Sequence, residues 1–186
     1  MALLAEQLVD EWMNRRGFFT LRGVKEGVSE IDLLGVKMSD GHLEGWHAEA
    51  QVSFRPVSFI SKLSKESMAV LGAKTASSAI TRTPAVLESS VREWVHKKFD
   101  AKQKVNMRQK CWKGLTWSRK FVHGAVKHEA ELALIESHGI TLIPFETVLE
   151  ELCGQPVGEL FGGAGTDIAE IIRFYSDRAK ICRNSQ

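Results

Sequence analysis

Long apolar runs are missing from this chain. No stretch reaches the roughly 18 consecutive apolar residues that a membrane-spanning helix needs, and MALLAEQLVDEW carries acids where a secretory signal is uninterruptedly apolar. A membrane protein is therefore not expected. Cysteine is scarce too: Cys111, Cys153 and Cys182 are odd in number and form no CxxC pair. That argues against a disulfide framework or a zinc cluster and for reduced thiols in a cytoplasmic protein. His123 and His128 lie five apart with no partnering Cys, so they make no zinc signature. The glycine cluster FGGAG lacks both the Walker spacing and a following Lys-Ser/Thr, which removes it as a phosphate loop. No internal repeat is present.

What is there is an ordinary globular balance. The chain has 186 residues, 44% hydrophobic and 26% charged, enough for one domain with a sizeable core. Its net charge of +2 hides an uneven distribution. Residues 92–128 hold eleven Lys/Arg against two acids, Glu93 and Asp100, a local net of +9. Residues 129–170 hold nine acids and no Lys or Arg, a net of −9. Such asymmetry makes a strong local field. Either a polyanion binds the basic stretch, or the acidic segment folds against it.

Leu4, Leu8 and Trp12, with Ala5 and Val9 beside them, predict a helix over 2–15, stopped at Gly17. FFTLRGV (18–24) and SEIDLLGV (29–36) predict short strands, and MSDGH (38–42) is the turn before a third strand that runs to about Phe54. A helix is expected over Val57–Leu71, with Phe59, Ile60, Leu63, Met68 and Leu71 as core candidates. GAKTASSAITRT (72–83) is the flexible loop of the chain and a possible cover for substrate. Pro84 opens a helix to about Phe99. Residues 100–116 have no clear pattern. A strand over 118–126, a helix over 128–139, a strand over 140–145 and a helix over ETVLEELC follow, with a final helix over 166–182. The expectation is a single α/β domain with a mixed sheet flanked by helices. Its core spans about 3–71 and 117–153, with a basic insertion over 72–116 and a helical extension over 160–183.

The third strand, GWHAEAQVSF, alternates. Trp46, Ala48, Ala50, Val52 and Phe54 face a core, while His47, Glu49, Gln51 and Ser53 face the other way. A tight turn centred near Asp40 puts residue 48 opposite Asp32, and Glu49 is one place away. Asp32 and Glu49 can then be cross-strand neighbours, roughly 5 Å apart at their bases. Like charges so placed destabilise a sheet unless a cation sits between them. Two carboxylates and an amide oxygen suit a hard, oxygen-loving ion such as Mg²⁺. The competing reading is a solvent-facing polar side of a hairpin.

Glu6 in the first helix, Asp32 in SEIDLLGV and Glu49-Ala50-Gln51 in HAEAQVS together resemble the restriction-endonuclease-like, or PD-(D/E)xK, nuclease superfamily, which includes Holliday junction resolvases and many restriction enzymes. The resemblance covers residues 3–65 and rests on a short motif. It implies a three-layer restriction-endonuclease-like fold with a central mixed sheet. It implies that Asp32 and Glu49, with the Ala50 carbonyl, hold Mg²⁺ or Mn²⁺ for phosphodiester hydrolysis, and that Glu6 is an additional helix acid. Glu30 is a further acid beside Asp32. The sequence departs from the motif at Gln51, where the family usually carries Lys. Gln can orient a water but supplies no positive charge, so Lys62 or Lys65 is considered as the replacement. His47 is a candidate base or phosphate contact.

A nuclease must also hold a polyanion. Lys97, Lys98, Lys102, Lys104, Arg108, Lys110, Lys113, Arg119 and Lys120 are the expected phosphate-tracking residues. Trp94, Trp112 and Trp117 are interleaved with them and can stack on unpaired bases or pack in the core. The expected partner is DNA, with RNA left open, and a homodimer suits cutting of two strands. Two other readings stand beside this one: a DNA-binding module on the same fold with weak or lost catalysis, and an interaction domain for a partner other than nucleic acid.

Overall fold

The computed structural model describes residues 2–53 and 55–154. Phe54, the FGGAG cluster, Cys182 and the helical extension expected over 160–183 lie outside the described residues.

Helix α1 (Ala2–Arg15) leads into an antiparallel meander of β1 (Phe19–Glu26), β2 (Ser29–Ser39) and β3 (His42–Gln51). After α2 (Lys65–Leu71) come α3 (Pro84–Val95), a π-helical turn (His96–Asp100) and α4 (Lys102–Cys111). The chain then returns through β4 (Trp117–His123), α5 (Glu129–Ser137), β5 (Thr141–Pro144) and α6 (Phe145–Gly154). The five strands form one open sheet in the order β1-β2-β3-β4-β5, with β4 and β5 parallel to β3. Helices cover both faces, which makes a three-layer α/β architecture. Among the described residues no helix is long and apolar enough to cross a membrane.

One layer is apolar throughout. Leu8, Val9, Trp12 and Met13 of α1 pack with Val148 and Leu152 of α6 against Leu33, Trp46, Ala48 and Val122. On the other face, Val91, Trp94 and Val95 of α3 and Ile135 of α5 enclose Phe99 and Phe121, while Met107 of α4 covers Ile31 and Leu34. Phe121 and its neighbour Val122 are both fully buried, one in each layer, as expected of a strand in the interior of a sheet. Each such side chain contributes about 1.5–3 kcal/mol. The segment 72–116, expected as an insertion, therefore supplies most of the second layer.

Two local features set the register. Asp40 and Gly41 both have positive φ, 48° and 78°, and form the two-residue loop joining β2 to β3. Leu33 consequently pairs with Ala48, so the continuation brings Asp32 level with Glu49, one residue from the expected register. Farther along, the β1–β2 ladder skips Gly23 and Asp32, and Gly23 adopts φ 60°. Ile31 and Leu33 pack in opposite layers, so alternation breaks at Asp32. The register is the same on both sides, Arg22 with Leu33 and Val24 with Ile31, so this is a local break in the ladder with no inserted residue.

Three expectations need correction. No helix forms over 57–64: Val57 N–H bonds the Ala125 carbonyl at 3.0 Å, Lys127 N–H bonds the Val57 carbonyl at 2.9 Å, and Ile60 N–H and Ser61 N–H both donate to the buried Glu131 carboxylate. With these donors committed to tertiary partners, the helix starts only after Ser64, whose side chain caps the Ser67 N–H. The third strand ends at Gln51, short of residue 54, and the fourth at His123, short of residue 126. The unpatterned stretch 100–116 contains a ten-residue helix, α4.

Candidate active site

The polar face of β3 is not a solvent face. His47 and Glu49 are both fully buried beneath the π-helical turn and α4. Burial of a carboxylate demands counter-charges, and the basic stretch delivers them. Lys104 Nζ donates to Glu49 Oε1 at 2.6 Å and also to the Glu30 carbonyl. Lys98 Nζ donates to Glu49 Oε2 at 2.7 Å and lies 3.8 Å from Asp32 Oδ2. The π-helical turn puts Lys98 and the buried Phe99 side by side, one toward the acids and one into the core. Such single π-turns recur at functional sites.

The third contact to Glu49 is His47, whose Nε2 lies 3.0 Å from Oε1. Its Nδ1 faces Arg108 Nη1 at 2.7 Å, and a guanidinium can only donate. The imidazole therefore accepts at Nδ1 and donates from Nε2, a tautomer assigned from its partners. Burial lowers its pKa, so it remains neutral, although the Glu49 contact pulls the other way. With both nitrogens engaged and no exposed surface, His47 is not the base or phosphate contact considered from sequence. Arg108 also donates to the Phe99 carbonyl at 2.8 Å, tying α4 to the π-helical turn.

The two acids behave differently. Burial alone would raise Glu49, but the His47 hydrogen bond and the ammoniums of Lys98 and Lys104 outweigh it and hold the carboxyl at about 2. Asp32 is pushed up to about 7 by burial and then by the Glu49 charge, against the pull of Lys98 and of the Ala50 N–H, which donates to Oδ2 at 2.9 Å. The pair thus holds one firmly ionised carboxylate beside one that titrates near neutrality. Lys98 is raised despite its partial burial, because Glu49 and Asp32 stabilise its charge. Glu6 is raised by burial and by Glu30, and its charge reaches Asp32, Glu49 and Lys98. Glu30 itself pairs with Lys25 at the surface, 3.4 Å away.

Gln51, at the exposed end of β3, lines a cavity of about 390 Å³ together with Ile60, Lys62, Glu93, Trp94, Lys97 and Lys98. Three lysines and one acid line this opening, a surplus of cations. Lys62 is exposed at its rim, while Lys65 is exposed at the start of α2.

The residues expected to track phosphate divide into several groups. Lys98, Lys104 and Arg108 point inward, as described. Lys97 pairs with Glu93, Lys110 with Glu26 and Arg119 with Asp100. Lys120 lies over the Trp46 ring on the opposite face, and Lys102 and Lys113 are exposed. Among the described residues, the ion pairs of the basic stretch run to the meander or within the stretch, where the sequence offered the acidic segment 129–170, of which residues 155–170 lie outside the described residues, as the neutralising partner.

The donor set bears on a metal ion in two ways. Asp32 and Glu49 are hard oxygen donors of the kind a divalent cation takes, and Lys98 and Lys104 already offset their charge. Among the described residues, however, no group of three or more His, Cys, Asp or Glu converges on one point. Mg²⁺ held by Asp32 and Glu49 would need Glu49 to give up part of its contacts, since Lys98, Lys104 and His47 already occupy both its oxygens, with backbone carbonyl or water completing the shell. Sequence reasoning took Lys98 and Lys104 for phosphate-tracking residues and missed their contact with the acids, since nothing local to HKKFDAKQK says which lysine turns inward.

No protein-family model matches the chain, and no curated protein matches it. A solved structure described as "Crystal Structure of Protein of Unknown Function AF1548" is similar at 16% sequence identity and a TM-score of 0.44, covering 88% of this chain and 73% of that one. A likeness so distant carries no inference about activity. The class defined by the fold is a three-layer α/β protein, and its most unusual feature is a buried acid pair clasped by lysines.

Proposed function

We propose that the chain is a Mg²⁺-dependent nuclease of the PD-(D/E)xK type, hydrolysing phosphodiester bonds in DNA from a cytoplasmic location. One observation carries this reading: Lys98 Nζ stands 2.7 Å from Glu49 and 3.8 Å from Asp32, beside the cavity that Gln51 lines. In this reading Lys98 of the π-helical turn, in place of Lys62 or Lys65, provides the ammonium that Gln51 cannot provide in the E-x-Q element. A bound divalent ion supplies Lewis acidity at phosphate and activates water at neutral pH. The chain's own groups do the rest. Asp32 and Glu49 would hold the ion, Lys98 would offset charge developing on the phosphate oxygens, and Gln51 would orient water by hydrogen bonding. Lys104 and His47 keep Glu49 ionised and fixed. Glu6 adds negative charge at the same end of the site, and Lys62 and Lys97 draw phosphate to the rim.

Incubation with Mg²⁺ or Mn²⁺ and a panel of single-stranded, duplex, flapped and branched DNAs tests this. Cleavage is expected, lost in Asp32→Ala and Glu49→Ala and reduced about a hundred-fold or more in Lys98→Ala. Cleavage unaffected by both acid variants overturns the assignment. A specific observation favours a second reading, a DNA-binding module with weak or lost catalysis: Glu49 already has two lysine counter-ions without a metal. Metal-independent DNA binding with no cleavage on any substrate selects it. An interaction domain for other partners has no comparable support.

A further inference from the structure

Helix α4 buries charge beside its buried apolar side chain, Met107. Its sequence KQKVNMRQKC contains no acid, yet two of its cations, Lys104 and Arg108, face the interior. Its outward side carries Lys102, Val105 and Gln109, all exposed and on one stripe by helical spacing. The stripe leads to Trp112, whose N–H still bonds the Arg108 carbonyl while its own backbone turns extended, and then to exposed Lys113. Trp112 leaves 47% of its surface in solvent. The other tryptophans behave differently: Trp12, Trp46 and Trp94 are buried, and Trp117 is half-buried. An indole held open among lysines is unusual, because tryptophan normally hides its large apolar surface.

We propose that this face binds an unpaired strand of DNA, with Trp112 stacking on a base and Lys102 and Lys113 contacting phosphates. The argument rests on the nucleic-acid reading above and narrows its substrate class. Continuous duplex offers no base face for an indole, whereas an unpaired strand does, and stacking of this kind tolerates any sequence. Lys102 and Lys113 are exposed on this face while Lys110 is paired with Glu26, so the uncompensated charge beside Trp112 is positive and suits a polyanion. Lys104 and Trp112 are eight residues apart, about 12 Å along the helix. The substrate is therefore flapped, branched or single-stranded DNA in preference to intact duplex.

Fluorescence anisotropy with a labelled oligo-dT, a blunt duplex of equal length and an oligo-rU, using the full chain without added metal, tests the proposal. Trp112→Ala is expected to weaken oligo-dT binding about ten-fold and leave duplex binding unchanged, while Trp112→Phe retains most of the affinity. Circular dichroism checks that each variant folds, which an exposed position permits. Equal loss on both DNAs, or no loss on oligo-dT, overturns the stacking role while leaving the nuclease reading intact. Tighter binding of oligo-rU than of oligo-dT overturns the choice of DNA. No binding of any oligonucleotide by the parent protein overturns both readings.

Discussion

On one side of β3, Trp46 and Ala48 pack among Trp12, Phe18 and Val122; on the other, His47 and Glu49 are equally hidden but touch Lys98, Lys104 and Arg108. Both faces exclude water, and they do it by opposite means. The apolar face needs only matching volume. The polar face needs each charge balanced and each donor partnered, because an unpaired ion in that environment costs several kcal/mol. Such an arrangement contributes little net stability compared with an apolar one of similar shape. Its presence in the middle of the sheet therefore points to use.

The comparison can be broken most severely at Glu49. Glu49→Ala leaves Lys104 buried without its carboxylate and is expected to cost about 3–5 kcal/mol, read as a lowered midpoint in urea unfolding. A loss under 1 kcal/mol there sinks the counter-ion account. On the opposite face, Leu33→Ala removes a fully buried side chain and should cost about 2–4 kcal/mol in the same assay, with no change in pH dependence.

A pH series separates the two faces further. Asp32 is raised from its ordinary 3.8 to about 7, so the folded chain holds that proton more tightly than the unfolded chain. Its contribution favours folding at low pH and is lost as pH rises from about 4 through 7. Glu49 works in the reverse sense, stabilising above its ordinary 4.5 and losing that effect as pH falls toward 2. Asp32→Asn should flatten the decline in Tm between pH 4 and 7, and an unchanged slope counts against it. Added Mg²⁺ should raise the parent's Tm more at pH 8 than at pH 5, since the ion competes with the Asp32 proton.

The smallest effect is expected at Lys98. Its side chain is 30% exposed, and Glu49 keeps Lys104 and His47 when it is removed. Lys98→Met should shift stability by less than about 1 kcal/mol while cleavage drops sharply. A large stability loss with unchanged cleavage makes Lys98 structural.

Much of this comparison was legible in the residues. Alternation in GWHAEAQVSF separates the two faces of β3, and the Asp40-Gly41 turn fixes its partner to within one residue. The apolar periodicity of α1 marks the helix that covers the first face. Other elements were not legible, for identifiable reasons. Residues 57–64 look helical, but the buried Glu131 carboxylate and the end of β4 take their backbone donors. Helix α4 carries no apolar stripe to read, because the side it buries is held partly by ions.

The sequence by itself determined the strand order of the meander, the identity of the acid pair and the class of architecture, since local periodicity and turn chemistry carry that information. Only the tertiary structure decided which cations serve the acids. A lysine side chain has no preferred direction of its own along a helix, so its inward turn is set by a buried carboxylate some fifty residues away in the chain, as Lys98 and Lys104 are from Glu49.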